Sequence, residues 1–145
     1  MRALASTLDF VRRLEGRRAK STKDHAAVME VKPNSIPFTV IERLSAKLTI
    51  TPAALLQLIG IPERTMARRK QEGFLKNDEA DRLLRVIRVF EVAIRVFGTE
   101  AKAAGWLNDV SAPLGEVTPL SLLDSDAGAH AVNDEILRID FGDTF

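Results

Sequence analysis

The segment from Asp78 to Phe97 constrains the fold of this chain more than any other part of the sequence. Most of its residues are Leu, Val, Ile, Phe or Ala, and its polar residues lie along one narrow stripe formed by Asp81, Arg82, Arg85, Arg88 and Arg95. A helix that is apolar around most of its circumference is buried by several neighbouring elements. We therefore predict a long central helix that begins at Asn77, is stopped by Gly98 and joins the two halves of the molecule.

The other segments also favour helices over strands. Apolar residues recur at helical spacing in two earlier segments, at Leu4, Leu8, Val11 and Leu14 and, after Pro37 as a first helical residue, at Phe38, Ile41, Leu44 and Leu48. Three short helices are predicted after Gly98, with start signals at Thr99, at Pro119 and at Ser125 or Asp126. Because no segment alternates apolar and polar residues over the length of a strand, we predict an all-α fold. Residues 16–35 are polar and weakly periodic, which indicates a linker or arm.

A helix-turn-helix is predicted between residues 51 and 73. Thr51 suits the N-cap and Pro52 the first position of a first helix that is stopped by Gly60. The turn would be Gly60 to Pro62, and the second helix about Glu63 to Gln71, with Ile61 and Met66 packed inward. This order of signals is that of a Cro/repressor-like DNA-binding core.

The second helix of this motif would carry the DNA-binding side chains, since it lies in the major groove in such proteins. The candidates, expected on its outer side, are Arg64, Thr65, Arg68, Arg69 and Lys70. Arginine can bond a guanine edge through two hydrogen bonds, and threonine can contact several bases. Arg69 and Lys70, further along, suit phosphate better. The alternative is a solvated basic helix with no ligand.

The charge of the chain is divided between its two ends. Residues 1–96 hold 19 Lys and Arg against 11 Asp and Glu, a net of +8, whereas residues 97–145 hold 2 against 9, a net of −7; together they give the overall +1. A basic surface can meet nucleic-acid phosphates, and an acidic one is free for a protein partner. Both could also be solvated faces.

Catalytic and metal chemistry find little support in the sequence. The chain has no cysteine and no tyrosine, and its two histidines, His25 and His130, lie far apart. There is no glycine-rich phosphate loop and no carboxylate pair at a telling spacing. We therefore expect no enzyme activity, no cofactor and no metal site. No apolar run approaches a membrane span and no secretory signal is present, so we expect a cytoplasmic protein.

The last third of the chain carries an ordered set of short motifs. They are VFG at Val96 to Gly98, WL at Trp106 and Leu107, LG at Leu114 and Gly115, TPLSLL from Thr118 to Leu123, Gly128, and the closing L-R-I and F-G from Leu137 to Gly142. This set resembles the toxin-binding domain of the Xre/MbcA/ParS antitoxin family. The preceding segment, from Glu63 to Phe97, is similar to the helix-turn-helix that the family carries upstream. The resemblance covers roughly residues 37–145 and departs mildly at Asp124 or Ser125, where the family usually has threonine.

The resemblance implies an antitoxin of a type II toxin–antitoxin system. Such a protein binds and neutralises a toxin with a RES domain, an NAD-degrading enzyme, by covering its active site, and it represses its own operon through the helix-turn-helix. By analogy the tail from Ile139 to Phe145 would lie at the toxin's cleft, where acidic and aromatic side chains suit a basic nucleotide-binding surface. The candidate toxin-binding residues are Trp106, Leu107, Leu114, Pro119, Leu120, Arg138, Ile139, Asp140, Phe141, Asp143 and Phe145.

We expect three parts: residues 1–36 as an N-terminal helix and arm, 37–97 as the DNA-binding domain with the central helix, and 98–145 as the toxin-binding domain. A single helix-turn-helix usually acts as a dimer, so a homodimer or a higher assembly with toxin is expected, with the N-terminal helix as a possible contact. Two alternatives stay open. One is a stand-alone repressor whose acidic domain serves dimerisation or ligand binding, and the other is an interaction module with a degenerate helix-turn-helix. Trp106 suits a core role better than an interface role, and Leu120 could simply close the core of the domain.

Overall fold

The computed structural model describes residues 2–15 and 36–142. Within these ranges the chain forms seven α-helices and no strand beyond two isolated β-bridges, which confirms the all-α prediction. The helices are α1 (Arg2–Leu14), α2 (Thr39–Leu48), α3 (Pro52–Leu58), α4 (Glu63–Glu72), α5 (Asn77–Phe97), α6 (Glu100–Asn108) and α7 (Asp126–Asp140), with 3-10 segments at Ala112–Leu114 and Leu120–Asp124. The predicted linker at 16–35 lies outside the described residues.

Helix α5 is the central element, as its composition predicts. It packs against α1, α6, α7 and the 3-10 segment Leu120–Asp124. Its buried side chains include Leu83, Ile87 and Phe90, and the ring of Phe90 meets that of Phe10 from α1 edge to face with centroids 6.0 Å apart. Such aromatic pairs add to the free energy gained from burial alone. Among the described residues, no helix has both the length and the apolarity that a membrane crossing requires.

Part of the apolar face of α1, which we expected as a dimer contact, packs inside the same chain. Its side chains Phe10, Val11 and Leu14 are buried in the core of the same chain, and Arg43 of α2 donates a hydrogen bond to the carbonyl of Leu14 at the end of the helix. These three side chains are therefore not free to contact a second copy. The sequence pattern indicated an apolar face on this helix but not which element covers these residues.

The start of α2 also differs from the prediction. Pro37 precedes the helix, which begins at Thr39, and forms an isolated antiparallel bridge with Phe74. The amide of Phe38 donates to the carbonyl of Gly73 at 2.9 Å, and the amide of Leu75 donates to the carbonyl of Ile36 at 3.1 Å. This pairing joins segments more than thirty positions apart, so local helix signals could not reveal it.

The hydrophobic core runs without interruption from α1 to α7. Several polar contacts also cross Gly98: among them, Lys47 of α2 pairs with Glu100 of α6 at 2.7 Å, and the Asn108 amide donates to the carbonyl of Leu48 at 2.8 Å. Gly98, with a φ of 95°, separates α5 from α6. The boundary that we predicted there remains a proposal, because the residues on its two sides share one core.

Candidate functional site

The helix-turn-helix is built from local signals at both ends of α3. Thr51 accepts a hydrogen bond from the amide of Ala54 at 3.1 Å, as an N-cap residue does. At the other end Gly60 has a φ of 78°, its amide donates to the carbonyl of Gln57 at 3.1 Å, and the amide of Ile61 donates to the carbonyl of Leu56 at 2.8 Å. These two bonds form a Schellman motif, in which glycine supplies the left-handed conformation. The turn then leads into α4.

Helix α4 lies with one side on the core and the other in solvent. Ile61 in the preceding turn is buried and Met66 is packed against the core, as predicted. Arg64, Arg68 and Lys70 are exposed. Thr65 is half-buried beside them, so its hydroxyl is less available to a ligand than the arginines are. The outer side of α4 is therefore basic and accessible.

The exposed cations of α4 make only weak contacts with the other residues that the structure describes. Arg68 lies 3.8 Å from Glu72 and Lys70 lies 3.4 Å from Glu42, and in each pair both side chains are largely exposed. Arg64 makes no ion pair with another described residue. Exposed pairs of this kind contribute at most about 1 kcal/mol and are screened by salt. A phosphate group can therefore replace Glu72 or Glu42 at low cost.

Arg69 does not lie on the outer side of α4, which corrects the expectation that it contacts DNA. Its side chain is buried, and its Nε donates to both carboxylate oxygens of Glu79 in α5, at 2.8 and 3.1 Å. Hydrogen bonding to Glu79 raises the pKa of Arg69 against the opposing effect of burial. Burial alone would raise the pKa of Glu79, but the bonds from Arg69 and from the backbone of Lys76 outweigh it and lower that pKa. Arg69 is thus a charged member of an internal pair.

Two other arginines of the predicted polar stripe reach neighbouring elements. The Nε of Arg82 donates to the carbonyl of Ile59, at the end of α3, at 2.7 Å. Arg85 donates to the carbonyl of Leu123 at 3.1 Å and pairs with Asp126 at 2.8 Å. Both are partly buried, whereas Asp81, Arg88 and Arg95 of the same stripe are exposed. The stripe is therefore only in part the solvated face that the sequence indicated.

Three of the predicted toxin-binding residues lie in the interior. Leu107 and Leu120 belong to the buried core, and Pro119 is also buried. Their side chains pack within the chain and cannot meet a partner without rearrangement, which corrects that part of the prediction. An apolar motif in the sequence does not distinguish a residue that closes its own core from one that waits for a partner.

The other predicted toxin-binding residues are at least partly accessible, or lie outside the described ranges. Trp106, Leu114 and Ile139 are half-buried, whereas Arg138, Asp140 and Phe141 are exposed, and Asp143 and Phe145 fall outside the described residues. Trp106 packs on Phe97 with ring centroids 5.3 Å apart, so part of its surface already serves the core. Phe141 is the most exposed large apolar side chain among the described residues, at 84%.

Three further apolar side chains are exposed in the same half of the chain, and sequence reasoning missed them. They are Val110 and Val117, in the loop between α6 and the last helix, and Leu137 in α7. The loop is closed by a bridge in which the amide of Ser111 donates to the carbonyl of Val117 at 2.9 Å. The position of both valines beside acidic residues in a Pro- and Gly-containing segment was a usable signal, since such segments lie on the surface.

Comparison with known proteins divides the chain at nearly the same place as the charge does. Residues 28–88 match the family model described as an antitoxin Xre-like helix-turn-helix domain. Residues 92–142 match the model of the antitoxin Xre/MbcA/ParS C-terminal toxin-binding domain. The exposed apolar residues from Val110 to Phe141 all lie in the second match, and the basic side of α4 lies in the first.

Three relatives that match 70–74% of this chain carry a related name. A protein named Antitoxin Xre from Photorhabdus laumondii is 35% identical over 109 residues, which is 74% of this chain and 74% of that protein. The protein of that name from Yersinia enterocolitica is 34% identical over 105 residues, 71% of each chain. Another from Pseudomonas putida is 31% identical over 102 residues, 70% of this chain and 63% of its own length.

Proposed function

Because this chain belongs to the Xre antitoxin family, we propose that it is the antitoxin of a type II toxin–antitoxin system, which neutralises a partner toxin and represses its own operon. DNA binding and toxin binding would use two different surfaces. The basic side of α4 binds the promoter, and the C-terminal part of the chain binds the toxin. The residues from Gly98 onward form the toxin-binding domain in this proposal, and residues 37–97 form the DNA-binding domain.

One observation carries the toxin-binding half of the proposal. Of the five large apolar side chains that are exposed among the described residues, four lie between residues 110 and 141, namely Val110, Val117, Leu137 and Phe141. Large exposed apolar side chains grouped in one part of a chain are typical of protein-binding surfaces. The acidic residues around them would favour a partner with a basic surface.

The DNA-binding half rests on the accessible arginines of α4. Arg64 and Arg68 would contact base edges, with Thr65 beside them, while Lys70 would contact phosphate. An arginine that forms two hydrogen bonds with a guanine contributes about 1–3 kcal/mol to discrimination between bases. Binding as a dimer to a two-fold operator is part of the proposal, and Phe10, Val11 and Leu14 of α1 are not among the contacts we propose for it, because they are buried within the chain.

We further propose that the toxin has a RES domain and consumes NAD, as the resemblance of the C-terminal segment implies. The tail that begins at Ile139 would cover the entrance to its active site. Exposed Phe141 would bury its ring there, and Asp140 would face a basic nucleotide-binding surface. Neutralisation would then be steric, since a covered cleft admits no substrate.

Co-expression tests this proposal. The gene beside this one is expressed alone in a bacterial host and then together with this chain, while growth and cellular NAD are followed. We expect growth arrest and loss of NAD with the neighbour alone, and recovery of both together with co-purification of the two proteins. A Phe141→Asp variant tests the proposed contact directly. Its exposed site tolerates a charge in the free protein, but a charge would be unfavourable in an apolar contact with the toxin, so this variant should fail to restore growth.

Each alternative result has a definite meaning. Arrest without loss of NAD would keep the antitoxin function and remove the RES-type toxin. A harmless neighbour that does not bind this chain would favour a stand-alone repressor. Retention of a promoter fragment by the purified protein, lost in a variant with Arg64→Ala and Arg68→Ala, tests the repressor half separately.

A further inference from the structure

Helix α4 is held to the rest of the molecule by an unusual residue. Arg69 is its one buried residue, while Met66 is only partly buried and the other side chains are exposed or half-exposed. An amphipathic helix is normally fixed by several apolar side chains on its inner side. Here the inner side of α4 instead places a guanidinium against the first turn of α5.

The partner of Arg69 is fully engaged. Both oxygens of Glu79 accept from the Nε of Arg69, and Oε1 also accepts from the backbone amide of Lys76 at 2.8 Å. A third side chain, Glu72, lies 3.2 Å from Nη1 of Arg69 but is half-exposed. Exposure is only 4% for the side chain of Arg69 and 8% for that of Glu79, so water competes little with the pair. The contact is directional as well as strong.

The position of Arg69 on α4 means that its contact with Glu79 fixes the rotation of α4 about its own axis. An α-helix advances about 100° per residue, so Arg69 lies about 100° around the axis from Arg68 and about 140° from Arg64. Once Arg69 is held by Glu79, the arginines on the outer side can point in only one direction. Apolar packing alone would allow α4 to roll, because only Met66 supports it from within.

The geometry points to Glu79 as a positioning residue for DNA binding, which acts through Arg69 to fix the rotation of α4 so that Arg64, Thr65 and Arg68 face the major groove. This role rests on the proposed DNA-binding function. It goes beyond the residues that would touch DNA, because neither Glu79 nor Arg69 is exposed to the ligand.

Arg82 supports the same arrangement one turn further along α5. Its Nε donates to the carbonyl of Ile59, and its guanidinium lies beside Gly60, where a Cβ atom would meet it in ordinary van der Waals contact at 3.5–3.6 Å. Thus α5 holds the end of α3 through Arg82 and the inner side of α4 through Glu79. The two helices of the motif are oriented against one common support.

A buried ion pair is well suited to such a role. Replacing one by apolar residues of similar size is often neutral for stability, whereas the best-attested benefit of a buried polar pair is a fixed register. The two roles therefore predict different DNA affinities when both charges are removed together. If the pair only stabilises the fold, DNA binding should survive; if it positions α4, DNA binding should be lost although the fold is stable. The double variant Arg69→Met with Glu79→Met places two apolar side chains of similar size against each other. It leaves no buried charge unpaired, but it lacks the directional hydrogen bonds.

The experiment compares operator affinity and its salt dependence in E79Q, E72Q and the double variant. Each single variant removes one negative charge near Arg69, so simple electrostatics predicts tighter DNA binding by both. We expect E72Q to bind no more weakly than wild type and E79Q to bind at least tenfold more weakly. The slope of log affinity against log salt should not change in E79Q, since no phosphate contact is lost, whereas Lys70→Ala should make it shallower, because Lys70 is the proposed phosphate contact.

The double variant and a DNA-free measurement complete the test. We expect the double variant to regain a melting temperature near that of wild type, yet to bind the operator as weakly as E79Q. Residual dipolar couplings should report a changed angle or rotation of α4 relative to α5 in both. Wild-type affinity in the double variant, or tighter binding by E79Q, would overturn the positioning role. If wild type itself binds no promoter DNA, the proposed repression fails, and unchanged couplings in E79Q would independently overturn the orientation of α4 by Glu79.

Discussion

Gly128 occupies a place in α7 where no other residue fits. A Cβ atom added there would lie 1.8 Å from the carbonyl oxygen of Leu122, which belongs to the backbone and has little room to move. We expect Gly128→Ala to lower the free energy of unfolding by about 2 kcal/mol or more, because the first turn of α7 must shift away from the 3-10 segment. Urea denaturation followed by circular dichroism measures this change.

Gly105 provides the matched control for that substitution. It also lies in a helix, but a Cβ atom added to it would meet nothing within 4 Å. Gly105→Ala should therefore raise the free energy of unfolding by about 0.5–1 kcal/mol, the ordinary gain of alanine over glycine in a helix. Equal effects at the two positions would show that the contact with Leu122 does not limit the residue at 128.

Glu79 should leave a signature in the pH dependence of stability. Its pKa is lower in the folded chain than the ordinary value of a glutamate, so its carboxylate stabilises the fold above about pH 4.3, and this contribution is lost as the pH falls through the lower folded value. We expect E79Q to be less stable than wild type by about 3 kcal/mol at neutral pH and the gap to narrow below about pH 4.

Urea unfolding at a series of pH values between neutral and acidic conditions measures that gap. Glu72→Gln serves as the control, because Glu72 contacts the same guanidinium from a half-exposed position. The difference in unfolding free energy between this variant and wild type should be small at every pH, as expected for a solvent-screened pair. A constant gap for E79Q at every pH would mean that the ionisation of Glu79 is not coupled to folding.

At the scale of elements, three side chains of α5 connect it to three different segments. Glu79, Arg82 and Arg85 follow one another at intervals of three residues, so each lies about one turn further along the helix and about 60° around its axis from the one before. They bond to α4, to the end of α3 and to the 3-10 segment before α7, respectively. The central helix therefore organises both functional halves through polar contacts as well as through its apolar surface.

Arg85 offers a test of this organisation. Arg85→Ala removes the donor to the carbonyl of Leu123, and we expect it to lower the free energy of unfolding by about 1–2 kcal/mol, the cost of an unsatisfied and partly buried acceptor. Asp126→Asn is the control, because Asp126 is 95% exposed and its loss should cost less than about 1 kcal/mol. Thermal unfolding of the three proteins decides between them. A larger loss of unfolding free energy in the Asp126 variant would show that the ion pair with Asp126, and not the hydrogen bond to the carbonyl of Leu123, is the main contribution of Arg85.

The ends of the elements could be predicted where a local signal sets them. The start of α3 at Thr51 and Pro52, the turn at Gly60 and the limits of α5 agree with the sequence, because caps and left-handed glycines act within one or two turns. The bridge between Pro37 and Phe74 and the burial of Arg69 could not be predicted in this way. Both depend on partners that only the folded chain brings together.

At the scale of the whole molecule, the two candidate surfaces rest on one continuous core. The charge division of the sequence anticipated that they lie in different parts of the chain. The charge division could not show which apolar residues of the second half are exposed. Leu107 and Leu120 are as apolar as Val110 and Leu137, yet the first two are buried in the core and the last two are exposed. The exposed set depends on the packing of α6 and α7 against α5, which no local pattern records.

This arrangement predicts that the two functions can be removed one at a time. Arg64→Ala with Arg68→Ala changes only exposed side chains, so the fold and toxin binding should persist while operator binding is lost. Truncation before Ile139 removes only the last two residues of α7 and the tail beyond it, and Ile136, the last fully buried residue of that helix, is retained. The truncated chain should therefore bind the operator but fail to rescue growth from the toxin.

Gel-shift titration and the co-expression assay, run on both variants, measure these two losses. A third variant, Arg88→Ala, changes an exposed cation of α5 that belongs to neither surface and should keep both activities. Loss of both functions in a variant that retains its helical content and melting temperature would contradict the division. It would mean that the shared core transmits the state of one surface to the other, and α5, which touches both halves through Glu79 and Arg85, would then be the first place to look for the connection.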